Sequence, residues 1–243
     1  MRIIFALLIT LIGLSASAQP GRLKDYVLNV GQFDKIKIDD NVNVVYRQSA
    51  DSTGMVSFRA EEDFADAFIF TVNKGTLRVQ VSTEDVGKEG LPTLHLFSDF
   101  LTSVTSSSAM TVLVKDMAPC PKFSVNLIGN GTITVEDIKA TKLSARLTTG
   151  NGTVNLSGKA HESTYSMVGT GTIQADRVES GQVTCQIMGS GTIGCWPLER
   201  LCVKGIGSTK IYYKGDPVIK KTGGGKLFQI PEGDQPLDGA YDD

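Results

Sequence analysis

Two carboxylates, Glu136 and Asp176, are the residues of this sequence whose type and spacing come nearest to catalysis. They lie two units apart in a region that repeats itself about every twenty residues. Stacking of equivalent strands would put such positions ~9–10 Å from each other. An inverting glycosidase holds its acid and base ~6.5–9.5 Å apart around one sugar linkage, so an enzyme acting on polysaccharide on a β-helix scaffold is the alternative reading. Ser157 and Trp196 occupy the same column of repeats, however, and Asp137 and Arg177 beside it read as ordinary turn residues. No catalytic residue is assigned, and the chain is read as no enzyme.

Other reactive groups are sparse. His95 and His161 stand alone in sequence and read as surface residues. Cys120, Cys185, Cys195 and Cys202 form no CxxC, and no His-rich cluster accompanies them, so no zinc site is expected. Four cysteines permit disulfides in an oxidising compartment. The inward repeat positions of Cys185 and Cys195 instead favour small buried apolar residues. The Gly-x-Gly segments fit neither a dinucleotide nor a P-loop fingerprint, which need a helix after the glycines. They also lack the Asp of calcium-binding nonapeptide repeats. No cofactor and no metal is expected.

The residues best suited to contact a partner are polar and periodic. Aligning the repeats puts Thr132, Thr153, Thr172, Thr192 and Ser208 in one outward column. Thr134, Asn155, Gln174, Gly194 and Lys210 run beside it. Asn126, Arg146, Ser166, Gln186 and Lys204 form a column on the other strand. Flat ladders of hydroxyl and amide groups suit a glycan or an envelope protein, although stacked polar residues also solvate the outer face of any β-helix. A row of Ile128, Thr148, Val168, Met188 and Ile206 either faces outward as an apolar strip usable for self-association or turns inward; parity leaves both open. Asn130, Asn151 and Asn155 also head N-glycosylation sequons. Only Thr132-Ile-Thr134 carries the paired threonines that ice binding would need.

These columns require a repeating scaffold, and the sequence supplies one. Gly129-Asn-Gly131-Thr132, Gly150-Asn-Gly152-Thr153, Gly169-Thr-Gly171-Thr172, Gly189-Ser-Gly191-Thr192 and Gly205-Ile-Gly207-Ser208 follow each other at first-glycine spacings of 21, 19, 20 and 16 residues. Ser107-Ser-Ala-Met-Thr111 is a degenerate earlier copy, and Gly223-Gly-Gly225-Lys226 a worn last one. Apolar residues alternate before each corner (Val125 and Leu127, Ala145 and Leu147, Tyr165 and Met167) and after it (Ile133 and Val135, Val154 and Leu156), as short strands do. Such a unit is too short for a βαβ crossover and cannot bury its apolar face alone, so units must stack. The expected fold is all-β: a right-handed parallel β-helix of ~20-residue coils with a less regular, strand-rich N-terminal part. The corners call for φ > 0 and close backbone approach, which glycine provides, with Asn130 and Asn151 tolerating the left-handed region.

Residues 33–110 alternate at Ile36 and Ile38, Val42 and Val44, Val56 and Phe58, Phe68 and Phe70, and Leu77 and Val79. Asn73-Lys-Gly75 reads as a hairpin turn, Glu61 to Ala67 as a short helical turn, and the whole segment as a cap on the stack. Residues 1–18 have the charged start, apolar run and Ala16-Ser17-Ala18 site of a cleavable signal peptide; the run is too short to span a bilayer. Residues 19–32 read as a leader, 33–230 as the repeat domain and 231–243 as a flexible acidic tail. The chain is thus expected to be exported, to a periplasmic, outer-surface or secreted location. The mature part has no apolar stretch of membrane-spanning length. A formal net charge of −2 without a basic stripe disfavours nucleic acid and anionic lipid.

Strand pairs separated by small-Gly-small-Thr corners and preceded by Phe33-Asp-Lys-Ile-Lys-Ile38 resemble the head GIN domain of putative auto-transporter adhesins, common in Bacteroidetes. The likeness runs from about Phe33 to Ile230 and takes in Ile211-Tyr-Tyr-Lys-Gly-Asp-Pro217, which looks like the family's closing motif. The resemblance implies a right-handed β-helix, an envelope or extracellular address, and no catalytic residues to carry over. No series of ten-residue membrane strands follows, so no translocator barrel is expected in this chain.

Overall fold

A computed structural model describes residues 23–64, 66–82 and 90–231. The proposed signal peptide and residues 232–243 of the proposed tail lie outside the described residues. Within the segment read as a leader, Lys24–Asn29 (β1) is a strand. Lys35–Ile38 (β2), Val44–Gln48 (β3), Met55–Ala60 (β4), Phe68–Asn73 (β5), Thr76–Val81 (β6), Leu94–Ser98 (β7), Ser103–Ser106 (β8) and Thr111–Lys115 (β9) follow. A single 3-10 turn at Glu62–Phe64 falls where the helical turn was expected. Lys74 and Gly75 close the β5–β6 hairpin with φ of 48° and 75°, the left-handed pair that a two-residue hairpin turn needs.

The remaining strands are Cys120–Ile128 (β10), Thr132–Thr148 (β11), Thr153–Val168 (β12), Thr172–Gly189 (β13), Thr192–Gly207 (β14), Lys210–Tyr213 (β15), Val218–Gly223 (β16) and Lys226–Gln229 (β17). β10 to β14 stack in parallel, each on the next, and β15, β16 and β17 continue the stack. The chain is therefore a parallel β-helix. Each long strand runs through a bend at which the register shifts before pairing resumes, and the glycine corners separate one strand from the next.

The first half of the domain does more than cap this stack. β2 lies in parallel register between β6 and β8, and β3 between β7 and β9. β8 and β9 then pair with β10 and β11. So the first turn that the chain makes sits inside the helix, and the chain leaves it, returns, and resumes on the other side. Covering is confined to β1, β4 and β5, which pair antiparallel on β4, β7 and β6 respectively.

The two glycines of a corner have different tasks. In the first three corners the first glycine takes the left-handed backbone, with φ of 102° at Gly129, 81° at Gly150 and 143° at Gly169, whereas Gly189 does not. The second does not; at Gly152 a Cβ would lie 2.6 Å from the Gly129 carbonyl oxygen, so stacking itself forbids a side chain. Asn130 and Asn151 are not left-handed as expected. That conformation falls to Thr149, at φ 59°, while Asn130 Oδ1 accepts a hydrogen bond from the Asn151 amide at 2.9 Å. The last corner is shifted as well. Gly207, not Gly205, pairs with Gly189, and Gly205 stands opposite Ile187.

Inward residues form columns. Leu127, Leu147, Met167 and Ile187 stack in one, all buried. Beside it run Val125, Ala145, Tyr165, Cys185 and Val203. Tyr165 is fully buried because its two neighbours in the column are small: interiors are close-packed, so a large ring needs small partners above and below. Cys185 and Cys195 are likewise fully buried, and all four cysteines are free thiols.

Candidate functional site

The outer columns are built by the parallel register. Asn126 pairs with Arg146, Arg146 with Ser166, Ser166 with Gln186, and Gln186 with Lys204. Arg146, Gln186 and Lys204 are exposed, Asn126 is half-buried, and Ser166 is buried. The column is longer than the repeat suggested: Thr105 precedes Asn126, Lys37 precedes Thr105, Arg78 precedes Lys37, and Thr222 follows Lys204. The signal for the upstream members was the alternation in Lys35-Ile-Lys-Ile38, which no glycine corner marks. Near that end Asp39 accepts from Arg78 and lies 3.2 Å from Lys37 Nζ. Partial burial opposes ionisation of Asp39, and the bonds from Arg78 and Lys37 outweigh it, holding the carboxyl below its ordinary value.

The second column contains Thr111, Thr132, Thr153, Thr172 and Thr192. Ser208 does not join it; Lys210 does. Lys210 therefore leaves the neighbouring column, where Thr134, Asn155, Gln174 and Gly194 are followed by Tyr212 and Phe228. The displacement follows from the last corner, where Gly207 stands in register with the first glycine Gly189, so that Lys210 rather than Ser208 falls opposite Thr192. Tyr212 and Phe228 stack with ring centroids 5.1 Å apart, an aromatic end to a polar column.

The row whose direction was open faces outward. Ile128, Met188 and Ile206 are 38%, 67% and 81% exposed. This places an apolar strip next to the column of Asn126, Arg146 and Gln186.

The two carboxylates do not face one another across a surface. Glu136 is exposed, with Lys115 Nζ at 3.6 Å. Asp176 is completely buried, and Lys214 Nζ, 3.7 Å from Oδ2, is the cation beside it. Lys214 also lies over the Trp196 ring, 5.5 Å from its centroid. The column assumed for Asp176 fails because of an irregularity: Asn155 pairs with Gln174 but Ser157 with Arg177, so one extra residue is absorbed at Asp176. His95 and His161 are exposed and apart. Among the described residues no group of three or more His, Cys, Asp or Glu could hold a metal ion, and no helix is long and apolar enough to cross a membrane.

Inside, Cys195 titrates well above its ordinary value, first because it is hydrogen-bonded to Cys185 and then because it is buried. Burial likewise raises Tyr165 well above the usual phenol value and pushes Tyr46 up to about 12. These groups are protonated and unreactive in the folded protein; they are packing residues.

Comparison with known proteins agrees with this architecture. The family model described as putative auto-transporter adhesin, head GIN domain, matches residues 32–217. No curated protein matches the chain. Among solved structures, a putative adhesin from Bacteroides fragilis NCTC 9343 superimposes with a TM-score of 0.76 at 21% identity, over 86% of this chain and 97% of the other. A protein described as a putative lipid binding protein from Parabacteroides distasonis ATCC 8503 gives 0.67 at 20%, over 87% and 98%. A putative adhesin from Parabacteroides merdae ATCC 43184 gives 0.65 at 20%, over 87% and 97%. At these identities the likeness speaks for the fold alone.

Proposed function

The chain belongs to the family of putative auto-transporter adhesins with a head GIN domain, and from that premise we propose that it is an exported, non-enzymatic binding module. Its binding face is the outward surface that carries Asn126, Arg146, Ser166, Gln186 and Lys204 with Thr132, Thr153, Thr172 and Thr192 alongside. The observation that carries this reading is the unbroken register of these residues from coil to coil.

Parallel stacking repeats one side chain every ~4.8 Å. The column from Arg78 to Thr222 contains cations, amides and hydroxyls and no carboxylate. Its exposed members Arg146, Gln186 and Lys204 offer hydrogen-bond donors to solvent, which suits an extended partner rich in acceptors, a glycan chain above all and an envelope protein next. The adjoining apolar strip of Ile128, Met188 and Ile206 adds contact area in the same plane. The ligand reads as polymeric because many weak contacts on one rigid scaffold gain affinity together.

The test has two arms. A glycan array and a whole-cell binding assay with residues 19–243 should give binding without turnover of the bound glycan, and cell fractionation with surface proteolysis should find the protein in the envelope or outside it. Release of reducing ends from a bound polysaccharide, lost on Glu136→Gln, would establish the enzyme reading instead.

A further inference from the structure

We infer that the bend of β12 holds a discrete pocket for a single neutral sugar unit, an inference that rests on the binding-module reading and sharpens it. The coil that begins at Thr153 is one residue shorter at its bend than the coils on either side. Val135 pairs with Leu156 but Ile138 with Gly158, so residues 136 and 137 face Ser157 alone. On the other side Asn155 pairs with Gln174 while Ser157 pairs with Arg177. A short coil between two longer ones is recessed, and the recess is a cavity of about 200 Å³.

Two features show how closely the short coil is drawn in. At Gly158, where φ is 127°, a Cβ would lie 2.3 Å from both the amide nitrogen and the carbonyl oxygen of Ile138. Ser157 Oγ is 3.4 Å from the Asp137 amide, which donates to it. The site is thus formed by a deletion in the repeat, held by a glycine that permits the close approach.

The lining has the chemistry of hydroxyl recognition. Thr134, Asn155 and Gln174 supply a hydroxyl and two amides from successive coils; Ser157 lies at the back; Glu136 and Arg177 stand at the two sides. Val135 and Leu156, whose side chains are buried in the core, complete the lining between them. Amides and hydroxyls both donate and accept, as the ring hydroxyls of a sugar do, and they outnumber the two charged lining residues, of which Glu136 also has Lys115 Nζ at 3.6 Å outside the lining. Asn155 Nδ2 donates to Thr134 Oγ1 at 3.4 Å, whereas Asn155 Oδ1 is enclosed and has no hydrogen-bond partner among the described residues. At ~30 Å³ per water, the space equals six or seven waters, about one pyranose ring, and is below the ~300 Å³ at which pockets for larger ligands begin. With Asp176 buried beneath the next coil, the pocket has one carboxylate where hydrolysis needs two. It can hold a sugar without cleaving it.

Calorimetric titration of the full chain with methyl glycosides of glucose, galactose, mannose and N-acetylglucosamine tests the inference. Binding of at least one is expected, weakened tenfold or more by Asn155→Ala or Gln174→Ala alone, and less than twofold by Arg59→Ala, an exposed residue paired with Asp25 outside the repeat coils. Melting temperatures of the variants serve as the check on folding. If none of the glycosides binds, or if binding survives both pocket substitutions, the pocket inference is wrong. In that case glycan-array binding that responds only to the Arg146 column would leave the module reading intact. Preference for a methyl uronide over every neutral glycoside would overturn the assignment to a neutral sugar.

Discussion

The Cβ that Gly152 lacks would sit 2.6 Å from the carbonyl oxygen of Gly129, one coil away. The same missing atom would come within 2.7 Å of Leu127 Cδ2. Gly152→Val is therefore expected to destabilise the protein by roughly 1–3 kcal/mol or more, through overpacking of a stacked corner. This differs from strain at a left-handed residue, since Gly152 has no positive φ and Gly129 has φ 102°. Thermal and urea melts of both alanine variants would separate the two causes. An unchanged melting temperature for Gly152→Val would mean that the corners are not in contact.

Leu147 stacks between Leu127 and Met167 and is fully buried. Leu147→Ala should cost about 2–5 kcal/mol, as for other core leucines. Leu147→Asp should prevent folding, because no cation lines this column to pair a buried carboxylate. Urea titration of the first and solubility of the second are the measurements. A soluble, cooperatively melting Leu147→Asp protein would contradict the inward parity of the column.

Much of this was legible in the sequence, for a physical reason. Parallel stacking forces each inward position to recur, so Leu127, Leu147 and Met167 declare the fold before any coordinate does. Gly129, Gly150 and Gly169 declare their corners because few other residues take the left-handed backbone they adopt. What sequence reading missed was lateral register. A one-residue gain at Asp176 buried a carboxylate that equal spacing would have exposed, and Gly207, standing where a first glycine stands in the other coils, moved Lys210 into the adjacent column. The placement of β2 and β3 inside the stack was hidden because those turns lack glycine corners and return only after a 68-residue excursion, as in Ile38 and Ser106. The 19-residue spacing between Gly150 and Gly169 was visible, but its consequence, a recessed coil, needed the bend to be seen.

Buried thiols and phenols give a pH signature. Cys195, Tyr165 and Tyr46 all titrate above their ordinary values, Cys195 through its bond to Cys185 and burial, the tyrosines through burial. Their neutral forms are the folded ones, so the stability they contribute is fully present below the ordinary thiol value of 9.0 and is lost as pH rises toward the folded values. Urea midpoints should be level from about pH 7 to about pH 8.5 and fall steadily by about pH 11, near and above the unfolded thiol and phenol values. Replacing Cys185 and Cys195 together by alanine should remove the earliest part of the fall. A midpoint that does not change up to about pH 11 would show that these groups are in contact with water.

Binding spread along the outward columns should respond differently to single and to combined substitutions. Arg146→Ala or Gln186→Ala alone should weaken attachment to glycans or cells by no more than a few-fold, since each removes one of many weak contacts. Changing Asn126, Arg146, Gln186 and Lys204 together to alanine should abolish attachment while circular dichroism and the melting temperature stay close to those of the wild type. Attachment that persists in the folded quadruple variant would show that the Arg146 column is not the binding face.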